Sequence, residues 1–144
     1  MTKQQNQLLF AMELRSVVGR LYKKIRKDAL KDSSLSLTEI STLSLLSKHG
    51  DMLPSELAAV ENITSQSMST ILNRLQEAGY VIRIVSKEDK RKVIIRISTS
   101  GNKHINQIRE QLTETLASTI DERFSEEEKK QLKKSIELLN RLAD

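Results

Sequence analysis

The sequence predicts a mainly α-helical fold that carries one small β-hairpin. Apolar residues recur every three or four positions over most of the 144 residues, which is the periodicity of an amphipathic helix. A single proline and four glycines leave few points at which such helices would break. The exception is the segment 80–97, where two short runs rich in β-branched residues alternate in polarity and flank a charged tip.

Three helices are expected in the first part of the chain. The first covers about residues 5–30, where apolar side chains follow helical spacing. After a polar break, Thr38 begins a second helix and Gly50 ends it. Pro54 suits the first position of a third, short helix, which runs to about Glu61.

A fourth helix and the hairpin follow directly. Thr64 is a good N-cap for a helix over residues 65–78, and Gly79 is a good C-terminal stop. The runs 80–86 and 93–97 alternate as strands with one buried face do, and together they form a hairpin, or wing. A short helix, a turn, a second helix and a basic hairpin are the order in which a protein lays one helix in a DNA groove and places cations on the flanking backbone.

Two further helices complete the chain. A long one starts at Thr99 and carries apolar residues spaced three and then four apart. Ser125 precedes three glutamates, a strong start signal for the last helix. These two helices and the first have narrow apolar stripes, which either pack into a bundle within one chain or pair with a second copy. We favour a homodimer built from both chain ends.

The fourth helix has two contrasting faces. Its apolar face consists of Met68, Ile71, Leu72 and Leu75. The opposite face is rich in short hydroxyl and amide side chains and has no acid; it consists of Gln66, Ser69, Thr70 and Asn73. Such residues stabilise an exposed helix poorly but hydrogen-bond well to base edges and phosphates. An ordinary solvated face is the alternative, and the neighbouring short helix and basic hairpin favour recognition of DNA.

The hairpin tip concentrates positive charge. The chain carries a net charge of +5, and residues 65–98 hold seven basic residues against three acidic ones. The basic residues of the tip are Lys87, Lys90, Arg91 and Lys92. They suit contact with a phosphate backbone, and arginine suits a narrow minor groove. Asp89 is expected to be structural, capping the turn or holding Arg91 or Arg74. The alternative is a charged tip that only prevents pairing of strand edges.

Several other classes of function are excluded or disfavoured. The absence of cysteine rules out disulfides, thiolate metal sites and thiol nucleophiles. The two histidines belong to no metal motif, and no phosphate-binding glycine loop or nucleophile elbow occurs, so we expect neither an enzyme nor a cofactor. No signal peptide and no apolar run of about 18 residues is present, which predicts a cytoplasmic protein without a membrane partner.

The residues quoted above resemble the MarR (multiple antibiotic resistance regulator) family. The resemblance rests on Leu57-Ala58, Ser65-Gln66-Ser67-Met68-Ser69, Leu72-Asn73-Arg74-Leu75, Gly79-Tyr80-Val81, Asp89-Lys90-Arg91 and Ile97-Ser98-Thr99-Ser100-Gly101. It implies a winged helix-turn-helix lobe over residues 33–100 with N- and C-terminal dimerisation helices at 1–32 and 101–144. The implied DNA-binding residues are Ser65, Gln66, Ser67, Ser69, Thr70, Asn73, Arg74, Lys87, Asp89, Lys90 and Arg91.

The sequence departs from the family pattern at two places. Ile97-Ser98 replaces the usual Leu-Thr, a change that should preserve packing and capping. Leu53 replaces a hydroxyl cap before Pro54, so some fraying is expected there.

The resemblance also implies a function. The protein is expected to be a sequence-specific regulator that binds double-stranded DNA at a pseudo-palindromic operator as a dimer and represses transcription. Many relatives are released from DNA by small aromatic or phenolic anions, and the sequence places no such pocket here. The alternative is a winged-helix dimeric interaction module without specific DNA binding.

Overall fold

The computed structural model describes all 144 residues and contains six α-helices and one two-stranded antiparallel sheet. The elements in chain order are α1 (Lys3–Leu30), α2 (Leu37–His49), α3 (Pro54–Glu61), α4 (Ser65–Glu77), β1 (Val81–Val85), β2 (Val93–Ile97), α5 (Thr99–Arg123) and α6 (Glu126–Ala143). The mainly helical fold with one hairpin is therefore confirmed, with every expected element present.

The chain divides into two compact units. One unit, which we call the central unit, comprises residues Asp32–Glu110. The other, the terminal unit, comprises Met1–Lys31 together with Gln111–Asp144. Helix α5 begins in the central unit and ends in the terminal one.

The central unit has an aliphatic core to which α2, α3, α4, α5 and both strands contribute. Its largest fully buried apolar side chains are Leu43, Leu46, Leu57, Met68, Leu72, Leu75, Val81, Ile95 and Ile105. Burying a side chain of this size stabilises the fold by roughly 1.5–3 kcal/mol. The core therefore fixes α4 and the hairpin on a common support.

Helix α2 begins one residue earlier than the sequence predicts, because Ser36 rather than a later residue caps it. The Ser36 hydroxyl accepts the Glu39 backbone N–H at 3.1 Å, and the Glu39 carboxylate accepts the Ser36 backbone N–H at 3.1 Å. This reciprocal arrangement is a capping box. It also fixes the side chain of Glu39, which is 1% exposed.

The α3–α4 turn is formed by local chemistry. Asn62 adopts a left-handed backbone conformation with φ of 53° and ends α3, a conformation that asparagine tolerates. Thr64 then caps α4, since its hydroxyl accepts the Ser67 backbone N–H at 3.1 Å. The expected fraying before Pro54 is not observed, because the Glu56 carboxylate accepts the Leu53 N–H at 3.0 Å.

The hairpin is in a regular antiparallel register, from Val81 opposite Ile97 to Val85 opposite Val93. A third segment lies beside β2, because the backbone groups of Met52 and Ile95 exchange hydrogen bonds of 3.1 and 2.8 Å. The loop between α2 and α3 is thereby tied to the wing.

The start of α5 packs closely against Tyr80 and Ile97 at the base of the hairpin. A Cβ added to Gly101 would lie 2.2 Å from the Tyr80 carbonyl oxygen and 2.8 Å from Cγ1 of Ile97. The Ser98 hydroxyl donates to the Gly79 carbonyl at 2.6 Å and accepts the Gly101 N–H at 3.0 Å. Serine at 98 thus preserves the capping expected of the residue that it replaces. The Tyr80 ring stacks on His104, with ring centroids 4.6 Å apart and planes 9° apart.

The terminal unit exposes its apolar side chains. Ser125 caps α6 in a capping box with Glu128, as the sequence predicts. Helix α6 has no buried residue. An open apolar groove of about 510 Å³ is lined mainly by Phe10, Leu14, Leu138, Leu139 and Leu142. None of the six helices combines the length and the apolar character that crossing a membrane requires.

Candidate nucleic-acid interface

Helix α4 separates its apolar and polar faces as the sequence predicts. Met68, Leu72 and Leu75 are 0% exposed, and Ile71 is half-buried. The hydroxyl and amide side chains on the other side are all exposed: Ser65, Gln66, Ser67, Ser69, Thr70 and Asn73. We call these six residues the polar face.

The polar face carries no acidic residue, and neither does the first turn of α4. The positive end of the helix dipole therefore stands unopposed at Ser65, where an anionic group would be stabilised. Two hydroxyls already have partners within the helix. Thr70 donates to the Gln66 carbonyl at 3.2 Å, and Thr64 donates to the Ser67 hydroxyl at 2.9 Å.

Arg74 lies beside the polar face and forms an ion pair with a residue of α2. Its Nη1 lies 2.9 Å from Oε1 of Glu39 on α2, an ion pair without hydrogen-bond alignment. The Glu39 side chain is 1% exposed, whereas the Arg74 side chain is 61% exposed. The arginine therefore joins α4 to α2 and still presents much of its guanidinium to solvent.

Arg83 on β1 also reaches α4. Its Nη2 donates to Oδ1 of Asn73 at 2.8 Å. No carboxylate lies within ion-pair distance of Arg83. Sequence patterns did not single out Arg83, although a lone cation between Val81 and Val85, on the face of the strand expected to be buried, was an available signal.

The wing tip is a closed turn that Asp89 organises. Oδ1 of Asp89 accepts the Arg91 backbone N–H at 3.0 Å and the Arg91 Nε at 3.3 Å. The backbone closes the same turn, because Lys92 N–H donates to the Asp89 carbonyl and Ser86 N–H to the Lys92 carbonyl, both at 2.9 Å. Asp89 thus caps the turn and holds Arg91, two of the roles expected of it. The remaining expected role, an ion pair with Arg74, is not observed, because Arg74 pairs with Glu39.

The tip leaves its cations available. The Arg91 side chain is 91% exposed despite its contact with Asp89. Lys87, Lys90 and Lys92 are exposed and have no carboxylate within 4.0 Å. Four positive side chains therefore stand on one tight turn.

Arg96 forms an ion pair within the protein. It makes three hydrogen bonds of 2.7 to 3.2 Å to the carboxylate of Asp51. These bonds, and then the positive charge itself, lower the pKa of Asp51 below its ordinary value, although partial burial opposes the shift. The pair ties β2 to the loop before α3, and no sequence pattern indicated it.

Comparison with known proteins identifies a family. The sequence profile of the MarR family matches residues 35–93. A helix-turn-helix (HTH) type transcriptional regulator of Mycobacterium tuberculosis is 31% identical over 110 residues, which cover 76% of each chain. The uncharacterised HTH-type transcriptional regulator YpoP of Bacillus subtilis is 28% identical over 121 residues, which cover 83% of this chain and 84% of that one.

Solved structures show the same architecture. A Pseudomonas aeruginosa protein assigned as a transcriptional regulator superimposes with a TM-score of 0.81 at 28% identity, covering 100% of this chain and 99% of the other. A variant of MepR from Staphylococcus aureus, solved bound to an oligodeoxyribonucleotide, gives a TM-score of 0.71 at 20% identity, covering 94% and 98%.

Proposed function

The chain belongs to the MarR family of HTH transcriptional regulators, and from that premise we propose that it binds a specific pseudo-palindromic DNA duplex as a homodimer. Its relatives regulate transcription and are not enzymes. The proposal assigns α4 to the major groove and the wing tip to the adjacent backbone and minor groove.

One observation carries the proposal. The protein exposes an acid-free face of hydroxyl and amide groups on α4 and, on the hairpin that follows α4, a tight turn with four exposed cations. Polar side chains of this kind bond to base edges, whereas lysines and arginines neutralise phosphates. The residues proposed for contact with DNA are Ser65, Gln66, Ser67, Ser69, Thr70, Asn73, Arg74, Lys87, Lys90 and Arg91, with Asp89 ordering the wing.

The charge distribution supports DNA binding whose affinity depends strongly on salt concentration. Each phosphate that a lysine or arginine neutralises releases condensed counterions, so the logarithm of the binding constant should fall with that of salt at about −0.9 per phosphate. The MepR variant, which has the same fold, was solved bound to an oligodeoxyribonucleotide, and this supports DNA binding by the present chain.

The exposed apolar side chains of the terminal unit support pairing of two chains. Phe10 is 68% exposed, Leu138 59% and Leu142 72%. These residues lie in the groove between α1 and α6. Apolar exposure on this scale marks an interaction surface, and a second copy would cover it. A two-fold dimer would place its two α4 helices roughly 34 Å apart, one turn of DNA.

We propose repression as the regulatory outcome, since a dimer that occupies a duplex excludes other proteins from it. The resemblance to the family also suggests release by a small aromatic or phenolic anion. Titrating 4-hydroxybenzoate into the DNA complex tests that suggestion. Access to chromosomal DNA would place the protein in the cytoplasm.

Selection of bound sites from random duplex DNA tests DNA recognition. We expect a motif with two-fold symmetry whose half-sites are about 10 base pairs apart. If no motif emerges and low-salt binding is indifferent to sequence, the alternative of a dimeric interaction module without specific DNA binding is correct.

Sedimentation at low protein concentration tests the dimer. Phe10→Glu should yield a monomer, because a charge buried in an apolar contact is costly. Gln131→Glu adds the same charge at an exposed polar position of α6 and should remain dimeric. A Phe10→Glu protein that stays dimeric would contradict the proposed interface.

A further inference from the structure

We propose that Arg83 and Asn73 act together as a donor-rich pair that recognises guanine in the operator. The inference rests on the proposed binding of α4 in the major groove. It adds Arg83 to the proposed interface and assigns a base to Asn73.

The position of Arg83 directs its side chain toward α4. Arg83 is the cross-strand partner of Ile95, and cross-strand partners project from the same face of a sheet. Ile95 is 0% exposed, so this face covers the core. An arginine here cannot extend outward from the opposite face, and its head group instead reaches Asn73 at the rim of the core.

The hydrogen bond fixes the orientation of the Asn73 amide. A guanidinium group only donates, so the Asn73 atom that faces Nη2 of Arg83 at 2.8 Å must be the oxygen. Both amide hydrogens of Asn73 then remain for another partner. Arg83 also retains its other N–H groups, because it has no carboxylate partner. Together the two side chains offer hydrogen-bond donors.

Among the bases, guanine presents the major-groove hydrogen-bonding groups that best suit such a pair of donors. Guanine presents two acceptors there, N7 and O6, whereas adenine presents one acceptor and one donor. A free asparagine suits adenine, because its oxygen accepts from N6 while its nitrogen donates to N7. In this chain Arg83 already donates to the oxygen of Asn73 and brings further N–H groups beside it, so the pair presents mostly donors, which match the two acceptors of guanine better than the acceptor and donor of adenine.

Arg83 differs in this respect from Arg74 and Arg96. Arg74 and Arg96 each have a carboxylate partner, Glu39 and Asp51 respectively. The charge of Arg83 is met only by a neutral amide. It can therefore approach the electronegative guanine edge without breaking an ion pair.

Selection from random duplexes with the full-length protein tests the pair. The wild type should select guanine at one position of each half-site, and replacing it by adenine should weaken binding about tenfold or more. Arg83→Ala should select adenine there or lose discrimination to less than about threefold. Arg83→Lys should bind with an unchanged salt slope but with reduced discrimination, since lysine keeps the charge and lacks the planar fork.

Lys90→Ala is the matched control, because it removes one positive charge from the wing tip. It should weaken binding to every sequence and leave the selected motif unchanged. An Arg83→Ala protein with native circular dichroism and the wild-type motif would overturn the inference while DNA binding stands. The same loss of guanine in Lys90→Ala would also overturn it. A wild type that selects no motif would reject the proposed function itself.

Discussion

The guanidinium of Arg74 lies 2.9 Å from the carboxylate of Glu39, which joins the proposed recognition helix α4 to α2. The two partners are unequally exposed, since Glu39 is 1% and Arg74 61% accessible. Removing one partner therefore has a different consequence from removing the other. Loss of the arginine strands a carboxylate in the core, whereas loss of the carboxylate leaves an arginine that water can solvate.

Arg74→Ala should therefore lower the free energy of unfolding by about 2–4 kcal/mol, because a buried charge loses its partner. Glu39→Gln should cost only about 1 kcal/mol, since Arg74 is largely solvated. The double variant should be more stable than Arg74→Ala alone. Urea unfolding of the four proteins measures the coupling, and additive effects would contradict an ion pair.

Arg91→Ala should weaken operator binding by about 1–3 kcal/mol without changing stability, because this exposed arginine is proposed to contact DNA. Lys133→Ala removes an equal charge from an exposed position of α6 and should bind as the wild type does. Gel-shift titration at fixed salt compares them. Equal losses in both variants would show a general charge effect and reject the role of the wing.

Asp89→Ala should weaken DNA binding by about 1–2 kcal/mol even though it removes a negative charge, because the carboxylate orders the turn that holds Arg91. Asp89→Asn should bind nearly as well as the wild type, since asparagine can still accept the Arg91 backbone N–H. Titration of both variants with the same duplex is the measurement. Tighter binding by Asp89→Ala would mean that repulsion of phosphate outweighs the ordering of the turn.

Gly101→Ala should lower the free energy of unfolding by about 1–3 kcal/mol, because the new methyl group would collide with the backbone at Tyr80. Gly19→Ala is the control, as a Cβ there meets nothing within 4 Å. In the middle of α1 it should raise stability by about 0.5–1 kcal/mol. Thermal unfolding of both variants is the measurement. If Gly101→Ala is as stable as the wild type, α5 can shift to accommodate the methyl group.

Asp51→Asn should lower the thermal midpoint at about pH 7 and should lower it by less at about pH 2.5. Arg96 depresses the pKa of Asp51 in the folded protein, so the carboxylate favours folding above the unfolded value. That contribution disappears as the pH falls through the lower folded value. The effect should be small, because both side chains are partly exposed. Equal midpoint differences at the two pH values would contradict the linkage.

The sequence predicts those parts of the structure that depend on neighbouring residues. Thr64, Gly79 and Ser125 lie where local capping rules place them, and the alternation of residues 93–97 marks the second strand. The polar face of α4 follows from helical periodicity alone, because Met68 and Leu75 identify the opposite side.

Contacts between distant residues were not predictable in this way. Arg96 and Asp51 are 45 positions apart, and nothing in either local pattern connects them. Glu39 is recognisable as the end of a capping box, but its burial depends on the approach of α4. Arg83 stands at an inward position of β1, and only the three-dimensional structure identifies Asn73 as its partner.

The chain contains no tryptophan and only two tyrosines, so the Tyr80–His104 stack gives the protein an optical probe of its own. Tyr80 directly precedes the first strand of the wing and follows the end of α4. In a Tyr22→Phe variant, all tyrosine fluorescence from the protein would come from this single ring. Its intensity would follow movement at the base of the wing without any attached label.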